Sequence, residues 1–421
     1  MSATTGFEDR MDDPGVQNDW TTLAEEASFL SVLSENERVN LSVAGQSVEG
    51  NDILLVEVTI PGGINIESRP VVLIIAEQHG WEVAGREASF WFMRYLVETQ
   101  EPAVVDYLSK VRWVFLPTAN PDRLRIWSDG QRNNANNVDI NRDHISLDEP
   151  ETIVMWDVIN KYRPDILVDA HEARNISAGV AMEYNNGSFR EAPTILNNLS
   201  RDAIDNYIKD MLEKEGITVG DYTVTEIPAL TNVCELFYCL SILFETRREN
   251  DPDVPLRKTR TEYQYLSLQG LLDFHMEKWE EVRNAKKAAI REKIIEGRTI
   301  SPGLMLEGTT TINPPPAGYS LSSAQWSNVQ RQRNKRRIRA VLDGNSYIIS
   351  MARPFKPIIG YIVDPSADNN VISATRLASL PAVDQPIKRW SGGEWNTVTQ
   401  KRQFNQSWSD TESMSVSKIQ E

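Results

Sequence analysis

Cysteine is almost absent. The chain has two, Cys234 and Cys239, and their close spacing in an apolar run suits buried reduced thiols, not a disulfide-stapled scaffold. Basic residues are also in deficit: Lys+Arg is 44 against Asp+Glu 60, a net charge of -16, which argues against a polyanion-binding surface and a nucleic-acid partner. No stretch is apolar and long enough to span a bilayer, so no membrane partner is expected. The start, residues 1–20, has neither a basic opening nor an apolar centre, so no secretory signal is visible. As written, the sequence reads as soluble and cytoplasmic. Internal repeats are absent too.

What is present is an apolar share of 40%, ample for a core. Residues 1–19 read as a flexible arm. A helix is expected over 21–33 and a strand over 53–60, after turn residues at 45–50. A buried strand over 71–76 leads into a helix over 82–98, whose Ala84, Ala88, Trp91, Phe92 and Leu96 recur at helical spacing and face a sheet. A strand over 111–116 then opens a polar segment running to Asp143, long enough to be functional. Helices over 150–162 and 192–215 flank a strand at 166–168, and another strand follows at 241–244. This alternation predicts an α/β fold with a mixed, mostly parallel sheet and helices on both faces.

A helix over 262–295 ends the main domain, set at 20–297. The remainder, 298–421, reads as a Pro-rich linker and a small C-terminal unit. In it, strands are expected at 347–351 and 358–363 and a turn at Gly344-Asn345. The basic run 330–339 reads as a solvated helix face, the chain after Arg376 as polar and irregular, and the tail from about 407 as flexible.

Three short stretches carry chemistry: His79-Gly80-Trp81-Glu82, Val168-Asp169-Ala170-His171 and Leu243-Phe244-Glu245. Each follows an apolar run that reads as a strand, and in open α/β sheets polar groups meet beyond the carboxyl ends of the strands. Two histidines and a carboxylate suit a catalytic zinc, which takes three protein ligands and keeps one position open. His79, Glu82 and His171 are that set. Glu245 is placed to take a proton from water acidified by the ion.

Further motifs lie between them in order: Asn120-Pro121-Asp122, Arg132-Asn133, Val138-Asp139-Ile140-Asn141-Arg142, Glu149-Pro150-Glu151-Thr152 and Phe244-Glu245-Thr246. The ordered set resembles the zinc carboxypeptidase family over about 19–275. Gly45-Gln46-Ser47-Val48-Glu49-Gly50 is similar to an upstream motif of that family, and parts of 316–354 are similar to the C-terminal extension of some bacterial members.

The resemblance implies one zinc per chain on His79, Glu82 and His171, with Glu245 as general base and later proton donor. It implies that Arg132 polarises the scissile carbonyl, that Asn141 and Arg142 hold a terminal carboxylate, and that Asp139 receives the other ring N–H of His79. A substrate tyrosine is expected at Tyr222, with Tyr238 as the alternative. Departures from the family pattern are Arg123 after Asn-Pro-Asp, Asn137 before Val-Asp, where a left-handed backbone is tolerated, and Asp143-His144. His144 is read as a loop histidine or a cleft residue, and Glu172 as a residue behind the metal or facing substrate. The expected activity is hydrolysis of an amide bond beside a free carboxylate, on a peptide. The alternatives are a cell-wall peptide amidase or amino-acid deacylase on the same fold, and a non-catalytic virion or surface module.

Overall fold

The computed structural model describes residues 20–403 apart from 63, 125–130, 188–191, 224–227, 249–256, 300–303, 306–310, 352–355, 368–369 and 392–393. The expected arm at 1–19 and tail from about 407 lie outside these residues. The chain divides into two compact units, Met1–Lys287 and Ala288–Glu421.

In the first unit, α1 (Leu23–Leu33) is closed at its start by a capping box between Thr22 and Glu25. Strands β1 (Val39–Gln46) and β2 (Asp52–Val58) form an antiparallel pair. Then come β3 (Val71–Ala76), α2 (Ala84–Glu98), α3 (Pro102–Leu108), β4 (Arg112–Leu116), α4 (Pro150–Tyr162), β5 (Ile166–Ala173) and β6 (Met182–Asn185). Helices α5 (Thr194–Ala203) and α6 (Lys209–Lys214) are joined by a π turn, and are followed by β7 (Val219–Asp221), α7 (Leu230–Glu235), β8 (Leu240–Arg247) and α8 (Arg257–Thr299).

The sheet order is β1-β2-β4-β3-β5-β8-β6-β7. Its centre, β4-β3-β5-β8, is parallel, and β2 and β6 join antiparallel on either side. Every residue of β3, β4 and β5 is buried, as strands covered by helices on both faces require. Where α2 crosses β5, a Cβ on Gly85 would stand 2.7 Å from the Ala170 Cβ, so glycine sets the close approach of helix to sheet.

Helix α8 packs on its own unit through Leu268, Leu271, Leu272, Phe274 and Val282. It also carries His275, fully buried, whose Nδ1 accepts a hydrogen bond from the Tyr107 hydroxyl while that oxygen accepts from Trp113 Nε1–H. This chain ties α8 to α3 and β4. Cys234 and Cys239 are both buried and are not joined by a disulfide, in accord with the reduced thiols expected.

In the second unit, β9 (Leu304–Met305) pairs with β10 (Thr311–Ile312). A four-stranded antiparallel sheet runs β12 (Val341–Asp343), β13 (Ser346–Ser350), β11 (Gly318–Ser322), β14 (Thr375–Leu377), with the expected turn at Gly344, φ 58°, between β12 and β13. Helices α9 (Ser323–Asn328) and α10 (Gln330–Lys335) follow β11; within the basic run, Gln332 and Arg336 are buried, so it is not a wholly solvated face.

Two expectations fail here. Residues 358–363, expected as a strand, are helix α11 (Lys356–Val363). A six-residue apolar run has no period that separates strand from helix, and Pro357 in the first turn, where no N–H is needed, favours the helix. The chain after Arg376 is not irregular: β15 (Ala382–Ser391) and β16 (Glu394–Gln403) form a regular hairpin. Gly392-Gly393 between two ten-residue segments was its signal.

Burial lowers the pKa of His275 to about 4, with Asp165 opposing, so the folded protein keeps this ring neutral at pH values where the unfolded chain is protonated. The unfolded state then binds more protons, and stability falls as pH drops from about 6.5 towards about 4. The contribution is about 3 kcal/mol at full extent. Chemical denaturation across this range should show a shallower pH slope in His275→Phe than in the wild type; equal slopes would rule the linkage out.

Candidate active site

The register of the central strands assembles the site. In the parallel β5–β8 pair, His171 stands opposite Glu245. Both were expected at strand ends, but each lies two residues inside its strand, because β5 and β8 stay paired through Ala173 and Arg247. The Gln264 side chain also donates to the His171 carbonyl at 3.0 Å. From the neighbouring β3, the chain turns sharply through Glu77, φ 55°, to bring His79 and Glu82 over the same edge. Gly80 is required in that turn, since a Cβ there would run into the Arg123 carbonyl.

Three donor atoms converge. His79 Nδ1 lies 3.0 Å and His171 Nδ1 2.8 Å from Glu82 Oε2, and the two ring nitrogens are 3.2 Å apart. Ligands around a tetrahedral zinc with bonds near 2.0–2.1 Å stand roughly 3.3 Å apart. The triad therefore has the spacing of an ion's ligand set, and its donor atoms all fall within 4.8 Å of one another.

Each histidine is aimed by a carboxylate on its far side. Asp139 Oδ1 sits 3.0 Å from His79 Nε2, and Asp169 Oδ1 sits 2.8 Å from His171 Nε2. A carboxylate acceptor there places the ring proton on Nε2 and leaves the Nδ1 lone pair for the shared point. Asp169 had drawn no role from the sequence; its signal was the two-residue spacing to His171, which puts both on one face of a strand. Behind Asp169 runs a polar chain: Gln78 Nε2 donates to its Oδ1 at 2.6 Å, Thr231 Oγ1 to its Oδ2 at 3.0 Å, and Gln78 Oε1 faces His144 Nε2 at 2.8 Å. Trp156 Nε1–H donates to His144 Nδ1. His144 is thus fully buried two links behind the metal-facing ring and outside the cleft.

The electrostatics describe a site built to hold positive charge. Burial pushes the Glu82 carboxyl up, but the charge of His79 and the hydrogen bonds of both histidines hold it well below the carboxylate range. Burial disfavours the His171 cation, yet Asp169 and Glu82 raise its pKa well above that of a free imidazole. Asp139 is held low by His79, Arg132 and Arg142 against the cost of its burial. Glu245 goes the other way: burial, reinforced by Glu82 and Asp169, pushes it well above its usual range against His171 and Arg132. Its Oε2 is buried with no hydrogen-bond partner among the described residues. A cation at the triad would lower that pKa and give the carboxylate a partner.

The polar segment before Asp143 is held in place by acids. Asn134 and Asn136 amides bind Glu149 at 2.6 and 2.8 Å, and Asn134 also binds Glu151 at 2.9 Å. Asn137 takes the left-handed backbone expected of it, φ 61°. Asp122 receives the Ser47 hydroxyl, the Glu49 N–H and the Asn51 amide, docking the 45–50 turn. On this segment Arg132 donates Nε–H to Asp139 at 2.8 Å and reaches within 3.7 Å of Glu82. Asn141 Oδ1 accepts from the Leu230 N–H at 2.7 Å, and Arg142 follows it. Glu172 is buried and paired with Arg260 at 3.1 Å.

Triad, Glu245, Arg132, Asn141, Arg142 and Tyr222 line one cavity of about 280 Å³. Tyr222 packs against Ala229 and Leu243, whereas Tyr238 is buried in the core, away from the cavity lining. Trp81, Arg174 and Arg248 also line it and were not singled out from the sequence.

A mixed α/β sheet with a two-histidine, one-glutamate cluster at the carboxyl edge of its parallel strands has the architecture of a mononuclear metallohydrolase. The sequence profile of the zinc carboxypeptidase family, peptidase M14, matches residues 27–252, and the chain belongs to that family. It is 30% identical over 133 residues to carboxypeptidase D of Mus musculus, a match covering 28% of this chain and 10% of that protein. To carboxypeptidase Z of Mus musculus it is 33% identical over 116 residues, 24% of this chain and 18% of the other. The chain thus matches only a small part of these relatives' length. In fold it resembles a metallo-carboxypeptidase from Burkholderia cenocepacia, with TM-score 0.52, 17% identity, and coverage of 61% of this chain and 69% of that one. The family is zinc-dependent, and among the described residues no helix is long and apolar enough to cross a membrane.

The convergent donors predict uptake of about one zinc per chain. Asp169→Asn, which disturbs the tautomer of His171, should weaken that uptake about 10- to 100-fold in chelator competition. Unchanged affinity would remove Asp169 from the site.

Proposed function

We propose that this protein is a zinc-dependent metallocarboxypeptidase that cleaves the amide bond next to a free carboxylate on a peptide. The observation that carries the reading is the presence, in one cavity, of the donor triad, the buried Glu245 carboxylate, whose Oε2 has no hydrogen-bond partner among the described residues, and the Asn141-Arg142 pair.

His79 Nδ1, Glu82 Oε2 and His171 Nδ1 are the atoms that would hold one zinc. Zinc bound there supplies Lewis acidity, polarising a carbonyl and acidifying water. Glu245 takes the proton from that water and returns it to the leaving amine, which explains a carboxylate buried beside the triad with one oxygen free. Arg132, anchored through Nε on Asp139 and with Nη1 3.7 Å from Glu82, is placed to direct its guanidinium at the oxygen that gains negative charge as the carbonyl is attacked. Asn141 and Arg142 receive the terminal carboxylate: a guanidinium matches a carboxylate with two parallel hydrogen bonds, and the Leu230 N–H holds the Asn141 side chain in place. Tyr222 closes on the substrate from the same side. Ala229, Thr231 and Leu243 offer the terminal side chain a small, largely apolar surface.

Glu245→Gln should lower kcat by roughly 10²- to 10⁴-fold with zinc content unchanged. Retained turnover in a zinc-loaded variant would contradict the role. Amidating a substrate's C-terminus should cost the wild type roughly 10- to 100-fold in kcat/KM and cost Arg142→Ala much less. Equal losses in the two proteins would point to an amidase that does not need a free terminal carboxylate.

A further inference from the structure

One wall of the cavity takes no part in that chemistry. Arg248 follows β8, and its backbone N–H binds the Ala173 carbonyl at 2.8 Å, which sets it beside the end of β5. It is 6% exposed, and its guanidinium carbon lies 4.2 Å from the centre of the Trp81 ring. Its Nε is buried without an acceptor, and among the described residues its side chain makes no hydrogen bond or ion pair.

The acids near it are already engaged. Glu172 is paired with Arg260, Glu82 Oε2 faces the two histidines, and Glu82 Oε1 accepts from Trp81 Nε1–H at 3.1 Å. Burial therefore lowers the Arg248 pKa despite the support of Glu82 and Glu172, with Arg174 and Arg260 opposing its charge further. Arg174, exposed at the cavity rim, places its guanidinium carbon 5.4 Å from the same indole ring. Stacking on an aromatic face holds a guanidinium by its plane and leaves its N–H edge free for a partner.

A nearly buried cation whose donor edge meets no acceptor among the described residues calls for an anion, and the cavity it lines is where one can arrive. The wall lies past His171 and Glu245 along β5 and β8, whereas the terminal carboxylate belongs at Asn141 and Arg142, beside Leu230. With the terminal carboxylate at Asn141 and Arg142 and the scissile amide at the triad, Trp81, Arg174 and Arg248 are the part of the same cavity lining left for the residue that precedes the scissile bond.

We propose that Arg248 and Arg174, stacked on Trp81, form a second carboxylate subsite that selects peptides with an acidic residue on the acyl side of the scissile bond. This rests on the hydrolytic reading above and names its substrate class.

The test compares N-acetyl-Glu-Leu with N-acetyl-Gln-Leu, which differ in charge and hardly in shape, on the zinc-loaded full chain. The wild type should prefer the glutamyl peptide roughly 10- to 100-fold in kcat/KM, as a charge-assisted hydrogen-bonded pair implies. Arg248→Met should bring the ratio close to unity and Arg248→Lys should recover part of it. If Arg248→Met does not fold, Arg174→Gln on the exposed rim should still reduce the ratio. Equal rates in the wild type, or a preference that survives both substitutions, overturns the subsite. If neither peptide is cleaved, the hydrolytic reading fails by itself, and calorimetric titration of the same pair decides the subsite: tighter binding of the glutamyl peptide supports it and equal binding overturns it.

Discussion

Two imidazole–carboxylate hydrogen bonds govern the rest of this site. Asp139 on His79 and Asp169 on His171 fix which ring nitrogen carries the proton, and so turn both Nδ1 atoms to one point shared with Glu82. The carboxylates are fixed in turn. Asp139 caps the Asn141 N–H and takes Arg132, so one side chain aims a histidine, an arginine and the turn that carries Asn141-Arg142. Asp169 is fixed by strand geometry, two residues before His171 in a fully buried strand, and by Gln78 and Thr231. The triad and the Asn141-Arg142 part of the cavity therefore share their supports.

The charge pattern follows from this arrangement. Asp169, Glu82 and Glu245, all buried, and the partly buried Asp139 crowd one edge, where histidines and arginines offset them. The carboxyls held low, Glu82, Asp139 and Asp169, face histidine or arginine. Glu245 is pushed well above the usual carboxylate range by burial and by the neighbouring acids Glu82 and Asp169, and positive charge arriving beside it would favour its carboxylate form. That difference suits Glu82 to the ligand role and Glu245 to the base role proposed for them. Arg248 is the reverse case, a cation whose neighbouring acids are already paired, and it extends the same reasoning from metal to substrate.

Much of the parallel core was legible because its strands are short all-apolar runs between helices with clear periodicity: 71–76 and 150–162 match the structure residue for residue. His79, Glu82, His171 and Glu245 stood out because each interrupts or ends such a run, and the ordered motifs between them supplied Arg132, Asn141 and Arg142. What could not be read depended on register and on long-range stacking. Nothing local says that β5 and β8 continue past His171 and Glu245, that Arg248 lies on Trp81, or that Glu172 meets Arg260. Asp169 was readable from its period-two spacing alone. In the second unit, 358–363 is too short for periodicity to distinguish helix from strand, and the pairing of β15 with β16 shows in the Gly-Gly pair of the sequence between them more than in any apolar pattern.

The most direct measurement is an anomalous difference map at the zinc edge from crystals of the zinc-loaded protein. The account predicts a single peak about 2.1 Å from both His79 Nδ1 and His171 Nδ1 and within bonding range of Glu82. A peak at Nε2 of either ring, or none between these three residues, would contradict it.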